Sequence, residues 1–260
     1  MTDVGTRSFV TRQGRVLRCV LSTAARGASL DFDAVRQITA ALRALEPEVG
    51  AVLLAGDGPN FCTGADVRAL AATTDPTVEI RALADEMHDL VRALVEAPVP
   101  VVAAVHGWAA GAGMSIALAA DLLVAGASTR LRPAYPGIGL TPDGGLTWTL
   151  PRAVGAARAR HILLTDKVLY ADEAQELGLV AVLVSDDAVA AEAQALAVQL
   201  ADGPARALGR TKRLLRESVH RDLDAQLDDE AATIAESAAG DEGREGVAAF
   251  RERRPPRFGG

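Results

Sequence analysis

Cysteine is nearly missing from this 260-residue chain; the two that occur, Cys19 and Cys62, form neither a metal-ligand spacing nor a disulfide framework. A reducing compartment is therefore expected. Long apolar runs are missing too. The stretch from Met1 to Gly14 is polar and carries Arg7 and Arg12, so neither a signal peptide nor a membrane span is expected, and the chain reads as soluble and cytoplasmic. Positive charge is short: 27 Lys and Arg stand against 34 Asp and Glu, a formal charge of -7 and a pI near 5.2. With no uniform basic surface and no aromatic-basic stripe, nucleic acid is a poor candidate partner. No internal repeat or low-complexity tract is present.

What the chain does have is hydrophobic residues, 49% of the total, enough for one sizeable core. Val16 to Leu21 is β-branched and apolar between Gly14 and Ser22 and predicts a buried strand. Asp31 is placed as an N-cap, followed by Val35, Ile38, Leu42 and Leu45 at the spacing of one helical face. A strand at Ala51 to Leu54 then runs into the turn-rich Gly56-Asp57-Gly58-Pro59-Asn60. A helix is predicted from Val78 to Glu96, then a strand over Val101 to Val105 and another around Leu122 to Val124. Strand, crossover helix and strand indicate an α/β core. Beyond Val184 the strands stop, and a helical C-terminal portion, residues 200–260, is set apart from a core of residues 1–199.

Two small-residue loops each follow a strand: Gly64-Ala65-Asp66 and Ala110-Gly111-Ala112-Gly113. Backbone N–H groups there could converge on one oxygen and stabilise developing negative charge without proton transfer. Taken singly, each loop is equally the mark of a tight turn or of close helix–strand packing.

Phe61-Cys62-Thr63-Gly64-Ala65-Asp66-Val67 and the segment from Pro100 through Gly113 to Asp121 resemble the two oxyanion loops of the enoyl-CoA hydratase/isomerase (crotonase) family. The resemblance continues through Gly139-Leu140-Thr141-Pro142-Asp143-Gly144-Gly145 and Glu176-Leu177-Gly178-Leu179-Val180 to the tail Arg253-Arg254-Pro255-Pro256-Arg257-Phe258. It implies a spiral of ββα units whose C-terminal helices assemble trimers, often paired as hexamers. It also implies an acyl-CoA substrate and no metal or redox cofactor, coenzyme A being part of the substrate. The oxyanion donors implied are the N–H groups of Ala65 and Ala112, with Gly111 the adjacent alternative. Cys62, Gly64, Asp66 and Tyr135 fall at the substrate.

The sequence departs from the family pattern where water would be activated. The two glutamate positions of the hydratases are occupied by Ser115 and Tyr135, and a hydroxyl of ordinary pKa is no general base near neutral pH. Asp143 is the acid that remains. By resemblance to isomerase-type relatives it would shuttle a proton; as a plain aspartate before a helix it would be an N-cap. Double-bond or epoxyphenylacetyl-CoA-type isomerisation is the leading expectation. A hydratase of low activity, a hydrolase or dehalogenase using Asp143 as nucleophile, and an acyl-CoA-binding protein without turnover stay open. His88 is expected to be an ordinary helix residue, His106 a local hydrogen-bonding group, and Trp108 and Trp148 packing residues. Asp66 is expected to cap a helix beginning at Val67.

Overall fold

A computed structural model describes residues 8–66 and 75–259. Its frame is a six-stranded sheet in the order β1-β2-β3-β4-β6-β9. These strands are β1 (Val10–Gln13), β2 (Val16–Thr23), β3 (Ala51–Asp57), β4 (Val101–Val105), β6 (Leu122–Gly126) and β9 (Val182–Val184). β1 and β2 form an antiparallel hairpin, and every later pairing in this sheet is parallel. Parallel neighbours need crossovers, and helices α1 (Phe32–Arg43) and α2 (Pro76–Glu96) provide the first two. Both helices are capped by the aspartate before them. Asp31 accepts the Asp33 N–H at 3.0 Å and Asp75 the Thr77 N–H at 3.1 Å.

Period-two alternation sorts the strands into two cores. Val52, Leu54, Val101, Ala103 and Val105 join the main cluster with Ile38, Leu90 and Leu94 of the crossover helices. Ala51, Leu53, Val102 and Ala104 face the opposite way, onto α7 (Val189–Ala201). That helix presents Ala193, Ala197 and Ala201 to the sheet, and small side chains at this spacing let the backbones approach closely. The approach is tight at Gly50, where a Cβ would lie 2.5 Å from the Ala201 carbonyl oxygen.

A three-stranded second sheet stands beside the first: β5 (Trp108–Ala110), β7 (Arg130–Arg132) and β8 (Leu169–Tyr170). Between these elements lie α3 (Ala112–Ala117), α4 (Leu146–Val154), α5 (Ala156–Leu164) and α6 (Ala171–Glu176). The C-terminal part is α8 (Ala205–Ser218), α9 (Leu223–Ala239) and α10 (Asp241–Glu252). Among the described residues, no helix is long and apolar enough to cross a membrane.

The predicted elements differ from the observed ones at identifiable places. β1 is an exposed edge strand with a polar face, which the apolar-run criterion misses. Strands β5, β7, β8 and β9 are too short, at two or three residues, to show a period. A boundary at 199/200 would cut α7 two residues before its end; the break falls at Gly203-Pro204.

Helix α8 holds the C-terminal part to the core. Lys212 Nζ pairs with Asp121 at 2.8 Å and donates to the Leu94 carbonyl at 2.8 Å. Asp121 also accepts the Val101 N–H, at 2.8 Å. Burial pushes Lys212 down and Asp121 up from their ordinary values, against the attraction between them. One turn before Lys212, Gly209 meets the bend before β4: a Cβ there would lie 1.8 Å from the Pro98 carbonyl oxygen.

The two effects of Gly209→Ala have opposite signs. Helix propensity alone would stabilise by about 1 kcal/mol, whereas overpacking costs about 1–3 kcal/mol. The contact with Pro98 makes the steric term win, so the denaturation midpoint is expected to fall. A rise would mean that α8 does not seat on Pro98.

Candidate active site

The two small-residue loops meet. Cys62 N–H donates to the Trp108 carbonyl at 3.1 Å, and Ala110 N–H donates to the Cys62 carbonyl at 2.9 Å. Glycine is required where they cross. A Cβ on Gly113 would sit 2.1 Å from the Cys62 carbonyl oxygen, and one on Gly64 would sit 2.9 Å from the Ala110 carbonyl oxygen and 3.6 Å from the Ala112 nitrogen. Gly64 and Gly111 both have positive φ, 91° and 55°, a region costly for a residue with a side chain.

Gly64, Ala65, Gly111 and Ala112 together line a cleft of about 120 Å³. Gly111 N–H is already spent on the Arg132 carbonyl, at 3.0 Å. The Ala112 N–H, in the first turn of α3, has no hydrogen-bond acceptor among the described residues, and neither does that of Ala65. First-turn N–H groups lack intrahelical partners by construction. Of the two adjacent alternatives, Ala112 is thus the one with a donor available.

Helix α2 walls the cleft with Ile80, Leu83, Ala84 and Met87, and Leu30 and Phe32 add to it. The spacing 80, 83, 84, 87 is one helical stripe.

Asp143 and Tyr135 enter the same cleft. The Tyr135 hydroxyl donates to Asp143 Oδ1 at 2.6 Å, while Asp143 Oδ2 has no partner among the described residues. Burial, with the Asp143 carboxylate beside it, pushes the Tyr135 phenol well above its ordinary range, so it stays a donor. Ser115 Oγ lies 3.2 Å from the Tyr135 oxygen and 3.0 Å from the Asp143 carbonyl. The Tyr135 proton is directed to Asp143, which leaves the Ser115 proton for a carbonyl.

The helix-cap alternative for Asp143 does not match the geometry. Helix α4 begins at Leu146 with Gly145 as its N-cap and no side-chain cap bond. The Asp143 carboxylate turns to Tyr135 instead.

Some expected contacts are absent. The Cys62 side chain is fully buried, outside the cleft, and burial pushes its thiol up to about 12; its contribution is backbone. Asp66 is exposed and does not line the cleft, and the helix expected from Val67 lies outside the described residues. Trp148 is 38% exposed, with Arg152 over its ring at 4.0 Å, rather than packed inside. His106 Nε2 donates to the Gly58 carbonyl at 2.8 Å. His88 was underread: its Nε2 accepts the Gly144 N–H at 3.2 Å, next to Asp143. No spacing rule links positions 88 and 144, so only the fold could bring them together. Among the described residues no group of three or more His, Cys, Asp or Glu side chains is placed to hold a metal ion.

Comparison with known proteins agrees with this geometry. The enoyl-CoA hydratase/isomerase family pattern matches residues 14–260, and the chain belongs to that family. It is 40% identical over 224 residues to a Rhodobacter capsulatus protein named "Probable enoyl-CoA hydratase", covering 86% of each chain. It is 35% identical over 249 residues to the 1,2-epoxyphenylacetyl-CoA isomerase of Escherichia coli K12, covering 94% of this chain and 95% of that one. The crystal structure of an enoyl-CoA hydratase from Polaromonas sp. JS666 superimposes with a TM-score of 0.90 at 33% identity, over 95% and 98% of the two chains. The fold is that of the crotonases.

The raised Tyr135 phenol sets an alkaline limit. Below about pH 10 it is protonated folded and unfolded; above, only the unfolded chain ionises, the folded state binds more protons, and stability falls as pH rises. Between pH 9.5 and 11 the wild type is expected to lose about 1 kcal/mol more than Tyr135→Phe. Parallel losses in both proteins, measured by denaturant titration, would place the phenol in water.

Proposed function

We propose that this enzyme moves a carbon–carbon double bond adjacent to the thioester of an acyl-CoA, with Asp143 as the single acid/base. The Ala65 and Ala112 N–H groups would receive the thioester oxygen as it gains charge, which is where preorganised donors act most strongly. Asp143 Oδ2 would take the proton from the α-carbon and return it to the γ-carbon, so that no other reagent is consumed.

One observation carries this reading. Asp143 lines the cleft that holds both backbone donors and keeps one carboxylate oxygen without a partner among the described residues, while the two positions that would activate water hold hydroxyls whose protons go to the Asp143 carboxylate and to its backbone carbonyl. Neither hydroxyl is basic enough to activate water. Similarity to the Escherichia coli epoxyphenylacetyl-CoA isomerase along most of the chain favours a second substrate type for the same parts, an aromatic epoxide thioester.

The apolar residues left exposed on the C-terminal helices, Leu215, Leu223, Leu227, Ile234 and Phe250 among them, support assembly as trimers. A monomeric mass in solution would count against it.

The test is a β,γ-enoyl-CoA assay that follows isomerisation and hydration separately. Wild type is expected to isomerise with negligible hydration, and Asp143→Asn to lose about 10²–10⁴-fold in kcat while still binding acyl-CoA. Full activity in the variant would remove Asp143 as the base; rapid hydration would make the enzyme a hydratase.

A further inference from the structure

Outside the cleft, a charged pair touches both halves of the site through backbone. Arg132 Nη2 and Nε bond Asp166 Oδ2 at 2.6 and 3.0 Å, and Asp166 Oδ1 accepts the Ala134 N–H at 2.7 Å. The carbonyl of the same Arg132 accepts the Gly111 N–H. From this one knot the chain leads two ways. Gly111 precedes Ala112, the second oxyanion donor, and Ala134 precedes Tyr135, whose hydroxyl holds Asp143.

The knot is held in a costly conformation. Ala134 has φ 65° and Asp166 has φ 52°, left-handed values that side chains adopt at a penalty and that the surroundings must enforce. Asp166 is the stronger anchor, its side chain only 14% exposed. Charge-assisted bonds of this kind are shorter and stronger than neutral ones and set geometry as well as energy. Neither Arg132 nor Asp166 lines the cleft, so neither can touch the reacting atoms. The turn Pro136–Ile138, which gives Ile138 to the cleft, lies over the pair: a Cβ on Gly137 would be 3.9 Å from both Arg132 Nη2 and Asp166 Oδ2.

We infer that Arg132 and Asp166 are positioning residues that fix the distance between the Ala112 oxyanion donor and the Tyr135–Asp143 acid/base pair. The reason for a rigid link is geometric. The thioester oxygen and the carbons that exchange a proton belong to one small ligand, and displacement of a reacting group by about 1 Å can cost 10²-fold in rate. The link rests on the acid/base role proposed for Asp143, but its effect on the oxyanion donor can be read without turnover.

Asp166→Gly is the informative variant, because glycine accepts the left-handed backbone while the bonds to Arg132 and Ala134 are lost. Its kcat for isomerisation is expected to fall about 10²-fold, with KM changed less than threefold and a protein that is still folded at the assay temperature, with a lowered denaturation midpoint. Asp166→Asn tolerates the same φ and keeps one oxygen for the Ala134 N–H, but its amide N–H₂ then faces the Arg132 guanidinium, donor to donor, so the Arg132 pair is lost and only part of that loss should be recovered. A chromophoric cinnamoyl-CoA thioester gives the turnover-free reading. Its absorbance shifts to the red when its carbonyl is polarised, and the shift is expected to shrink in Asp166→Gly. A folded Asp166→Gly protein with wild-type kcat and an undiminished red shift would overturn the inference, as would a folded Asp166→Asn protein with wild-type kcat and red shift. If wild type itself fails to isomerise, the proposed reaction fails, and the red shift alone then decides whether the pair positions the donor.

Discussion

Two stretches of backbone, Cys62 to Ala65 and Ala109 to Gly113, approach closely enough that side chains are excluded between them, and the remainder of the site hangs on this approach. The contact is made by main chain: a parallel bridge between Cys62 and Ala109, two N–H to carbonyl bonds around it, and glycines at 64 and 113 where a Cβ would collide with a carbonyl oxygen. Because the sheet register sets where β3 and β5 end, the core decides where the two loops cross. The site is therefore built from main chain that hydrogen bonds and close packing hold in place, which suits donors that must be preorganised for a charge that appears only during reaction.

The polar side is arranged by a shortage of protons. Asp143, Tyr135 and Ser115 sit where Met87 and Gly144 leave no slack: a Cβ on Gly144 would lie 2.7 Å from Met87 Cε and 2.8 Å from Ser115 Cβ. In such surroundings each donor has one acceptor to serve. Tyr135 gives its proton to Asp143, Ser115 gives its own to a carbonyl, and His88 accepts the Gly144 N–H. One oxygen of Asp143 is thereby fixed, and the other has no partner among the described residues. With hydroxyls at Ser115 and Tyr135, Asp143 is the one carboxylate among the described residues that line the cleft.

How much of this could be read beforehand follows the range of the interactions. The Asp31 cap, the β2, β3 and β4 strands and the two glycine loops are local patterns, and each is found where the sequence places it. The paired loops and Asp143 were legible because small residues and turn formers cluster there. What was not legible depends on distant segments. The His88 contact with Gly144 spans 56 residues and the Arg132–Asp166 pair spans 34, and neither leaves a period or motif. Cys62 shows the opposite error: its place in a loop motif suggested ligand contact, yet the strand register turns its side chain into the core.

In the proposed reaction one carboxylate moves one proton within a bound thioester. Its most direct measurement is the fate of deuterium placed on the α-carbon of a β,γ-enoyl-CoA, followed by mass spectrometry under single-turnover conditions. A single base that takes and returns the same proton predicts that part of the label reappears at the γ-carbon of the conjugated product, and that this transfer vanishes in Asp143→Asn. A 3-hydroxyacyl thioester as the main product, or label transfer that survives the substitution, would contradict it.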